Sequence, residues 1–469
     1  MPALGLPIVV GGIAVRAARA GGGSGRASRI LDGCLAVGLG LGLASCGFFV
    51  AMAILGSSRW APMIGDLGLL GLAVTILAGR RRRSAGAADS ARTARPATPD
   101  SGGAGLLRAA VVLAALAALG AFALASWLRP HGEWDAWAVW NLRARFLFEG
   151  GEHWRDAFSA LLAWSRPDHP QMLPALVARG WGYVGRATVV VPAVVALCFT
   201  FATVLLVGSA VATGRGEIQG LLAALVLLGS PRFTAHGSAQ YADIPLGFFM
   251  AATLVLLWQY DRQGRSHPGT VALAGTMVGL AAWTKNEGLV FATALALGRL
   301  ALRLAVIGWR GSLRELGAFA GGAVPVLAVV ASFKLALAPP SYMTEDWRLP
   351  LLVARLTDGA RYAVVGRALG TDLLTLGGWA VSVLALLAAY ALLVGARIEP
   401  EDRAPLAASV VTLALVLAGY VAVYLFLPLE LEWHLRASLP RLLLQLWPSW
   451  VFVYWLVVRP LGPADRRIR

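Results

Sequence analysis

Residues 106–140 read LLRAAVVLAALAALGAFALASWLRPHGEWDAWAVW. The stretch 106–127 is apolar apart from Arg108 and Ser126 and is long enough to cross the hydrocarbon core of a bilayer as a helix. Two carboxylates, Glu133 and Asp135, follow it closely and lie among tryptophans. Acidic side chains are costly at membrane depth and usually mark function there. The segment therefore predicts a membrane-spanning helix that leads directly into a candidate catalytic site just outside the bilayer.

The composition of the whole chain is typical of a polytopic helical membrane protein. Of the 469 residues, 58% are hydrophobic and only 14% are charged, and the mean hydropathy is +0.68. A soluble domain is nearer half apolar and a quarter charged. Apolar stretches of helix-spanning length recur, whereas a membrane β-barrel would show weak alternation. We therefore predict an all-α fold with about twelve transmembrane helices and a helical first outer loop in the body of the protein.

Loops join the twelve predicted spans, and many of the arginines lie in the short ones. Their ranges are 32–55, 61–79, 106–127, 187–213, 218–231, 243–259, 269–283, 288–307, 316–338, 374–395, 406–428 and 442–458. Arginines cluster before the first span, after the second and after the last, and such residues favour the cytoplasmic side. The even number of spans between the clusters agrees with this orientation.

Three parts of the chain differ in composition. We predict a two-helix membrane unit at 1–83, a disordered cytoplasmic linker at 84–105 and a ten-helix body at 106–469, with outer loops 128–186, 339–373 and 429–441. The linker is rich in Ala, Ser, Gly, Thr and Pro. The apolar start at 3–15 is followed by arginines, which is the wrong charge order for a secretory signal.

The net charge of +16 arises mostly from arginines in the loops between spans. Such arginines set topology and contact anionic lipid headgroups, so membrane lipids, and no nucleic acid, are the expected partners. The three cysteines lie in apolar stretches and form no CxxC or disulfide pattern. This charge pattern therefore favours a membrane function over a nucleic-acid-binding one.

The predicted topology places six polar clusters on the outer side. They are Glu133 with Asp135, Asp168 with His169, Asp243, Lys285 to Glu287, Glu345 with Asp346, and Glu432 to Arg441. A wrong span count would scatter them over both faces. Their convergence therefore supports the predicted topology independently of the arginines.

The pair Glu133 and Asp135 is the strongest candidate for catalysis. One carboxylate could deprotonate an acceptor hydroxyl as general base, while the other orients the acceptor or binds a divalent cation. The structural alternative is an amphipathic interfacial helix, because Trp134, Trp137 and Trp140 recur every three residues.

Two further segments of the same loop carry candidate binding groups. Arg143 and Arg145 could bind phosphate bidentately, or equally the headgroups of membrane lipids. In Arg166-Pro-Asp-His-Pro170 the prolines restrict the backbone, and Asp168 could contact substrate together with His169. A purely structural turn is the alternative.

Two polar groups occur at predicted outer ends of spans. Asp243 in Tyr241-Ala-Asp-Ile-Pro245 opens a span, where helix capping and the helix dipole explain an acidic residue, so capping is the favoured interpretation. Lys285 and Glu287 flank Asn286 in a very short turn. The lysine could meet a phosphate as a point charge, or it could form a charge-paired turn with Glu287.

The last outer loop combines His434, Arg436 and Arg441. Such a group could hold a phosphate, whereas snorkelling to the interface explains a single arginine more easily than the cluster. HExxH, Walker A and GxGxxG motifs are absent from the sequence in any credible context. No cofactor is therefore assigned, and a divalent cation at Glu133 and Asp135 is the metal site that the sequence suggests.

The order of these motifs resembles the GT-C superfamily of integral membrane glycosyltransferases. The likeness covers about residues 106–458 and is greatest to the bacterial branch of protein mannosyltransferases and aminoarabinose transferases. It implies a multi-pass protein of the bacterial inner (plasma) membrane with its active site on the periplasmic face. Residues 1–105 are extra to the pattern, and no large soluble C-terminal domain of the oligosaccharyltransferase kind is visible.

The resemblance also implies a reaction. A hexose or pentose moves from a polyprenyl-phosphate donor to a hydroxyl of a lipid, polysaccharide or protein acceptor, with inversion in a single displacement. Asp135, or else Glu133, would be the base, and Lys285, Arg436 and Arg441 would stabilise the departing phosphate with help from His434. The expected substrate-binding or supporting residues are Trp134, Trp137, Arg143, Asp168, His169, Tyr241, Asp243 and Glu287.

Two other functions stay open at this point. A secondary transporter commonly has twelve spans, but it places charges near the midplane and has internal repeats, neither of which dominates here. Lys334, near the end of its span, is a partial exception. The third candidate is a flippase-like partner in envelope polysaccharide assembly that uses the outer face for binding only.

Overall fold

The apolar stretches form helices throughout the computed structural model, which describes residues 2–19, 25–56, 60–84, 102–265, 267–341, 348–426 and 430–461. Ala and Leu, which dominate these stretches, are strong helix formers. Within those ranges no β-strand forms, and one isolated bridge pairs Ala396 with Val458. The predicted all-α polytopic membrane fold is therefore confirmed.

Seventeen α-helices are labelled in chain order. They are α1 Pro2–Ala18, α2 Arg26–Leu55, α3 Ala61–Ser84, α4 Gly102–Leu128, α5 Asn141–Glu149, α6 Met172–Val184, α7 Val190–Arg215, α8 Glu217–Leu228, α9 Pro231–Ser238, α10 Asp243–Arg262, α11 Pro268–Thr284, α12 Asn286–Ala336, α13 Leu349–Thr357, α14 Gly359–Leu374, α15 Val383–Val394, α16 Pro400–Phe426 and α17 Leu431–Val457. A π-helix, Ala136–Trp140, and 3-10 helices at Gly151–Phe158, Ala160–Ser165 and Leu376–Gly378 complete the set in the described ranges.

A helix lies at each of the twelve predicted spans, although fewer of them are long and apolar enough to cross a membrane by themselves. In the described part of the chain seven helices meet that condition, or up to nine if each of two bent pairs is one span. The bent pairs fall at the predicted spans 218–231 and 374–395, with bends of 63° and 79°. The spans at 269–283 and 442–458 form α11 and α17, which do not meet the condition, and the span at 288–307 falls in the first half of α12.

The long helix α12 is a hairpin of two halves. Gly308 has φ +70°, a left-handed conformation that glycine adopts without a steric cost, and it breaks the helix between the predicted spans 288–307 and 316–338. The halves run back along each other, since Lys334 Nζ donates to Asn286 Oδ1 at 2.7 Å. The predicted reversal at 308–315 therefore occurs, and it brings both lysines of the chain to one end of the bundle.

The N-terminal helices pack on the rest of the bundle. The apolar start, to which no span was assigned, forms α1 and packs so closely on α2 that a Cβ on Gly40 would lie 2.0 Å from the carbonyl oxygen of Pro7. Ser45 of α2 donates to the carbonyl of Met172 at 2.8 Å and accepts from Trp283 at 3.0 Å. The predicted linker residues 85–101 lie outside the described ranges, and the proposed domain boundaries stay a prediction.

The first outer loop, 128–186, is helical as predicted. It contains the π-helix, α5, two 3-10 helices and α6. Trp134 and Trp137 are 58% and 44% exposed, whereas Trp140 is buried, so only two of the three tryptophans share the exposed face that the amphipathic interpretation expects. The last predicted loop, 429–441, is instead helical from Leu431, because the Glu430 carboxylate accepts from the backbone N–H groups of Glu432 and Trp433.

Helix α10 forms the centre of the bundle. All of its residues from Asp243 to Tyr260 are buried, and it contacts α7, α11, α16 and α17. A buried carboxylate at one end of this helix must find its partners on those neighbours, because water does not reach it. Asp243 therefore lies at a meeting point of several helices.

Candidate active site

Asp243 forms the centre of a polar cluster at one end of the bundle. Its side chain is fully buried and accepts from Lys285 Nζ at 3.0 Å and from Gln445 Nε2 at 2.5 Å. Arg441 donates to the other carboxylate oxygen through Nε at 3.1 Å and Nη2 at 2.9 Å. Capping by Asp243 is wrong, because the N-cap position is Ala242 and no side-chain capping bond forms, but Asp243 does lie in the first turn of α10, where the helix dipole favours an acidic residue.

Arg441 connects this buried carboxylate with Asp135. Its Nη2 lies 2.7 Å from Asp135 Oδ2 as well as 2.9 Å from Asp243 Oδ2. The side chain of Asp135 is 25% exposed and that of Asp243 is inaccessible. Arg441 also lies over the ring of Tyr241, with Cζ 4.4 Å from the ring centroid. One guanidinium therefore links an accessible carboxylate to an anchor in the core.

Burial and the nearby Asp135 raise the pKa of Tyr241 above its ordinary value, so the phenol stays protonated and uncharged near neutral pH. A neutral ring is the right partner for the guanidinium face above it. Tyr241, a predicted supporting residue, is thus brought to the cluster.

The two acidic residues of the pair point to different partners. The Glu133 carboxylate forms an ion pair with Arg129, the residue just after α4, and is 39% exposed, whereas Asp135 faces Arg441. Asp135 also immediately precedes the π-helix, and π-turns inside helices occur frequently at functional sites. The structure therefore gives different partners to two carboxylates, of which the resemblance preferred Asp135 as the base.

The predicted divalent cation would need a shared set of ligands. Among the described residues, no group of three or more His, Cys, Asp or Glu side chains is arranged to hold a metal ion. Glu133 and Asp135 face different arginines and so do not form a joint ligand pair in this arrangement.

The turn between α11 and α12 adds a second part to the cluster. Lys285 Nζ lies 2.9 Å from Glu287 as well as 3.0 Å from Asp243. Burial alone would lower the pKa of Lys285, but Asp243 and Glu287 outweigh it and raise that pKa above the ordinary value. The ammonium group is therefore held protonated.

Asp168 belongs to the same end of the bundle. It is buried and accepts from Asn286 Nδ2 at 2.9 Å, and its backbone carbonyl accepts from Lys334 Nζ at 2.5 Å. The Asp-His-Pro turn is thereby attached to both halves of the α12 hairpin. Both candidate interpretations of this turn, structural support and nearness to the site, agree with the contacts.

Arg143 supports the turn from inside the protein. It is fully buried, and its Nη1 donates to the carbonyls of Arg166 and His169 at 2.9 and 3.1 Å. Its guanidinium also packs on the ring of Trp140. The proposed contact of Arg143 with phosphate or lipid headgroups is wrong in this arrangement, because the side chain is enclosed. Arg145 is exposed.

His169 packs its ring on Trp140, with 5.7 Å between the ring centroids. Burial lowers its pKa well below the ordinary value, and the nearby cations Lys285 and Arg143 lower it further. The imidazole is therefore neutral near pH 7. A neutral ring in this place acts by packing on Trp140 rather than by charge.

The remaining candidates lie apart from Asp243. His434 is buried against the ring of Tyr424, with centroids 4.9 Å apart. Arg436 lies on the exposed side of α17, where it pairs loosely with Glu432. Trp134 and Trp137 pack edge to face on the surface. Glu345 and Asp346 lie outside the described residues.

Several members of the cluster were missed as site residues. Gln445 is oriented toward Asp243 because Tyr420 Oη donates to its Oε1 at 2.8 Å. Asn286 and Lys334 connect Asp168 to α12. The scarcity of lysine was a usable signal, since the chain has only two and both lie here. A glutamine one turn after Arg441 gave no comparable signal.

Comparison with known proteins gives one family. Residues 169–320, about a third of the chain, match the model of the dolichyl-phosphate-mannose-protein mannosyltransferase family. Searches of curated proteins and of solved structures each found no match. The matched segment includes Asp243, Lys285 and Glu287. It confirms the predicted relationship to the GT-C superfamily, while the bacterial branch stays a prediction.

Proposed function

We propose that this chain, a membrane protein related to the GT-C superfamily, transfers a sugar from a polyprenyl-phosphate donor to an acceptor hydroxyl, with Asp135 as the general base. The observation that carries the proposal is the position of Arg441 between Asp135 and Asp243. This position puts the accessible carboxylate of Asp135 beside the guanidinium of Arg441 in one half-buried site. The family match independently supports a glycosyltransferase with a polyprenyl-phosphate sugar donor.

The proposed reaction needs a base on one side of the anomeric carbon. Asp135 accepts the proton of the acceptor hydroxyl, and the oxygen forms a bond to that carbon as the bond to the phosphate oxygen breaks. The electron pair of the broken bond goes to the phosphate, which leaves on its lipid. A single displacement of this kind inverts the anomeric configuration.

The departing phosphate needs cations that are already in position. Lys285 and Arg441 both contact Asp243, so neither has to be reorganised from water when charge develops. Because Arg441 also contacts Asp135, a phosphate that binds Arg441 competes with that ion pair and releases the base. Donor binding and activation of the acceptor are then coupled through one side chain.

Asp243 has a positioning role in this proposal. It is too deeply buried to touch either substrate, yet its two oxygens hold Lys285, Arg441 and Gln445. Lys334, Asn286 and Asp168 support the Asp-His-Pro turn in a similar way. The resemblance implies that Arg436 and His434 help to stabilise the phosphate. Their role in this proposal is smaller, because Arg441 is the residue that contacts both Asp135 and Asp243.

The site is proposed to face the outside of a bacterial inner membrane. This placement follows from the arginine distribution and from the convergence of the polar clusters at one end of the bundle. Replacement of His131 by Cys should allow labelling by an impermeant thiol reagent in intact cells, and Arg81→Cys should label only after lysis. The reverse pattern would overturn the orientation.

Asp135→Asn tests the base. Transfer of labelled sugar from a polyprenyl-phosphate donor should fall by roughly 10²–10⁴-fold, the usual contribution of general base catalysis. Glu133→Gln is the comparison variant and should lose much less activity than Asp135→Asn, because Glu133 faces Arg129 and not Arg441. Full transfer by Asp135→Asn, with the protein folded and monodisperse, would exclude Asp135 as the base.

A further inference from the structure

A cavity of about 510 Å³ lies beside the candidate site, between α4 and the bent pair α8 and α9. We call it the α4 groove. Its walls are formed by one alanine-rich face of α4, by the turn from Arg129 to Glu133 and by residues 228–239 around the break between α8 and α9. Its size falls within the range of about 300–1,000 Å³ that small-molecule sites occupy.

The groove exists because of two local features. The alanines of α4 recur every three or four residues and so lie on one face of the helix, where their small side chains leave room. Opposite them, the chain bends by 63° between α8 and α9, at Gly229 and Pro231. A straight helix there would bring larger side chains against α4 and close the space.

One end of the groove is polar and firmly built. It is formed by Arg129, Gly132 and Glu133, and the Glu133 backbone N–H donates to the carbonyl of Ala239 at 3.2 Å. Gly132 has φ +75°, and a Cβ there would lie 2.6 Å from the same carbonyl oxygen, so the loop lies directly on α9. This end is two residues from Asp135 along the chain.

The rest of the groove is lined mostly by apolar side chains. Only 11% of the apolar window of α4 is buried inside the protein, so the helix borders the bilayer along most of its length. A molecule that enters from that side must carry an apolar chain. Its head would reach the polar end of the groove, beside the proposed base.

We infer that the α4 groove holds the hydrocarbon chain of a lipid acceptor whose uncharged, hydroxyl-bearing head reaches Asp135. This inference rests on the proposed function and names its acceptor class. Charge favours the acceptor over the donor. The polar end has one arginine paired with one carboxylate, which suits hydroxyls, whereas Lys285 and Arg441, the cations suited to a phosphate, do not line the groove.

The inference predicts where a lipid binds, independently of turnover. The probe is a monohexosyl diacylglycerol with a photoactivatable diazirine in one acyl chain, added to the purified full-length protein in nanodiscs. Crosslinks should map to peptides of α4 and α9. Excess unlabelled monohexosyl diacylglycerol should displace the probe, and neither polyprenyl phosphate nor phosphatidylcholine should do so.

A matched pair of variants locates the site. Ala121→Trp fills the groove and should reduce crosslinking by about tenfold or more, since the new ring occupies the space of the chain. Leu116→Trp adds the same ring to an exposed position of α4 that does not line the groove, and it should crosslink like the wild type.

Three results would overturn the inference. Displacement by polyprenyl phosphate would make the groove a donor site, equal displacement by phosphatidylcholine would make it an ordinary bilayer contact, and equal crosslinking of both variants would place the lipid elsewhere. None of these results depends on Asp135. Failure of the proposed function would appear separately, as full transfer by Asp135→Asn.

Discussion

Asp243 and Asp402 are both fully buried aspartates that form ion pairs, and they lie at opposite ends of α10. Asp243 begins the helix, whereas Asp402 of α16 contacts its other end by accepting from Trp258 Nε1 at 2.7 Å. Asp402 lies 3.1 Å from Arg215. Burial and pairing are therefore alike in the two regions.

The regions differ in what their arginines contact next. Arg215 donates to the carbonyls of Leu456 and Arg397, so its guanidinium is occupied by backbone inside the protein. Arg441 instead contacts Asp135, which solvent reaches. A buried ion pair alone is thus a poor indicator of function, since structural networks contain them too. The pair becomes a candidate site where one partner is shared with an accessible group.

The largest expected effect comes from Asp243→Asn. Removal of this charge leaves Lys285 and Arg441 without the carboxylate that positions them, so sugar transfer per folded molecule should fall by about 10²–10³-fold. Transfer assays on monodisperse protein measure it. A variant that folds and transfers sugar at the wild-type rate would remove Asp243 from the proposed site.

Asp402→Asn should affect stability and leave the chemistry intact. Breaking one partner of a buried ion pair costs about 3–5 kcal/mol, because Arg215 would stay buried without its counter-charge. Thermal unfolding in detergent should show the loss, while the transfer rate per folded molecule stays within about twofold, since an added stability defect does not alter distant contacts. A loss of transfer as large as that of Asp243→Asn would erase the distinction between the two regions.

The smallest effect concerns pH. The pKa of His169 is lowered by burial in the folded protein, so the unfolded chain takes up a proton below about pH 6.5 that the folded chain does not. Stability should therefore fall as the pH drops below that value. In His169→Gln this decline should be weaker, as measured by unfolding temperatures between pH 7.5 and pH 5. An unchanged slope would show that His169 contributes nothing to it.

Much of the architecture could be predicted from the sequence. Hydropathy located a helix at each of the twelve spans, and Gly308 ends the first half of α12 where a reversal was expected. The count of crossing helices was less predictable. Gly229, Ser230 and Pro231 allow a bend between α8 and α9, and hydropathy averages over such a bend.

The candidate site was predicted in part. Asp135, Lys285, Arg441 and Asp243 were all named, and they do converge. The role of Asp243 was not predictable, because a helix N-terminus explains an aspartate there without any partner. Arg143 looked like a phosphate ligand, since its type and spacing do not show that the backbone carbonyls of the next turn enclose it.

The sequence by itself determined that the chain is a helical membrane protein with its acidic, lysine and histidine clusters at the ends of spans, because hydropathy and charge placement are properties of local segments. Tertiary structure alone decided that Asp135 and not Glu133 meets Arg441, and that Gln445 completes the shell of Asp243. Those contacts join residues that are hundreds of positions apart. Their partners depend on how α10, α12 and α17 pack, which no local pattern specifies.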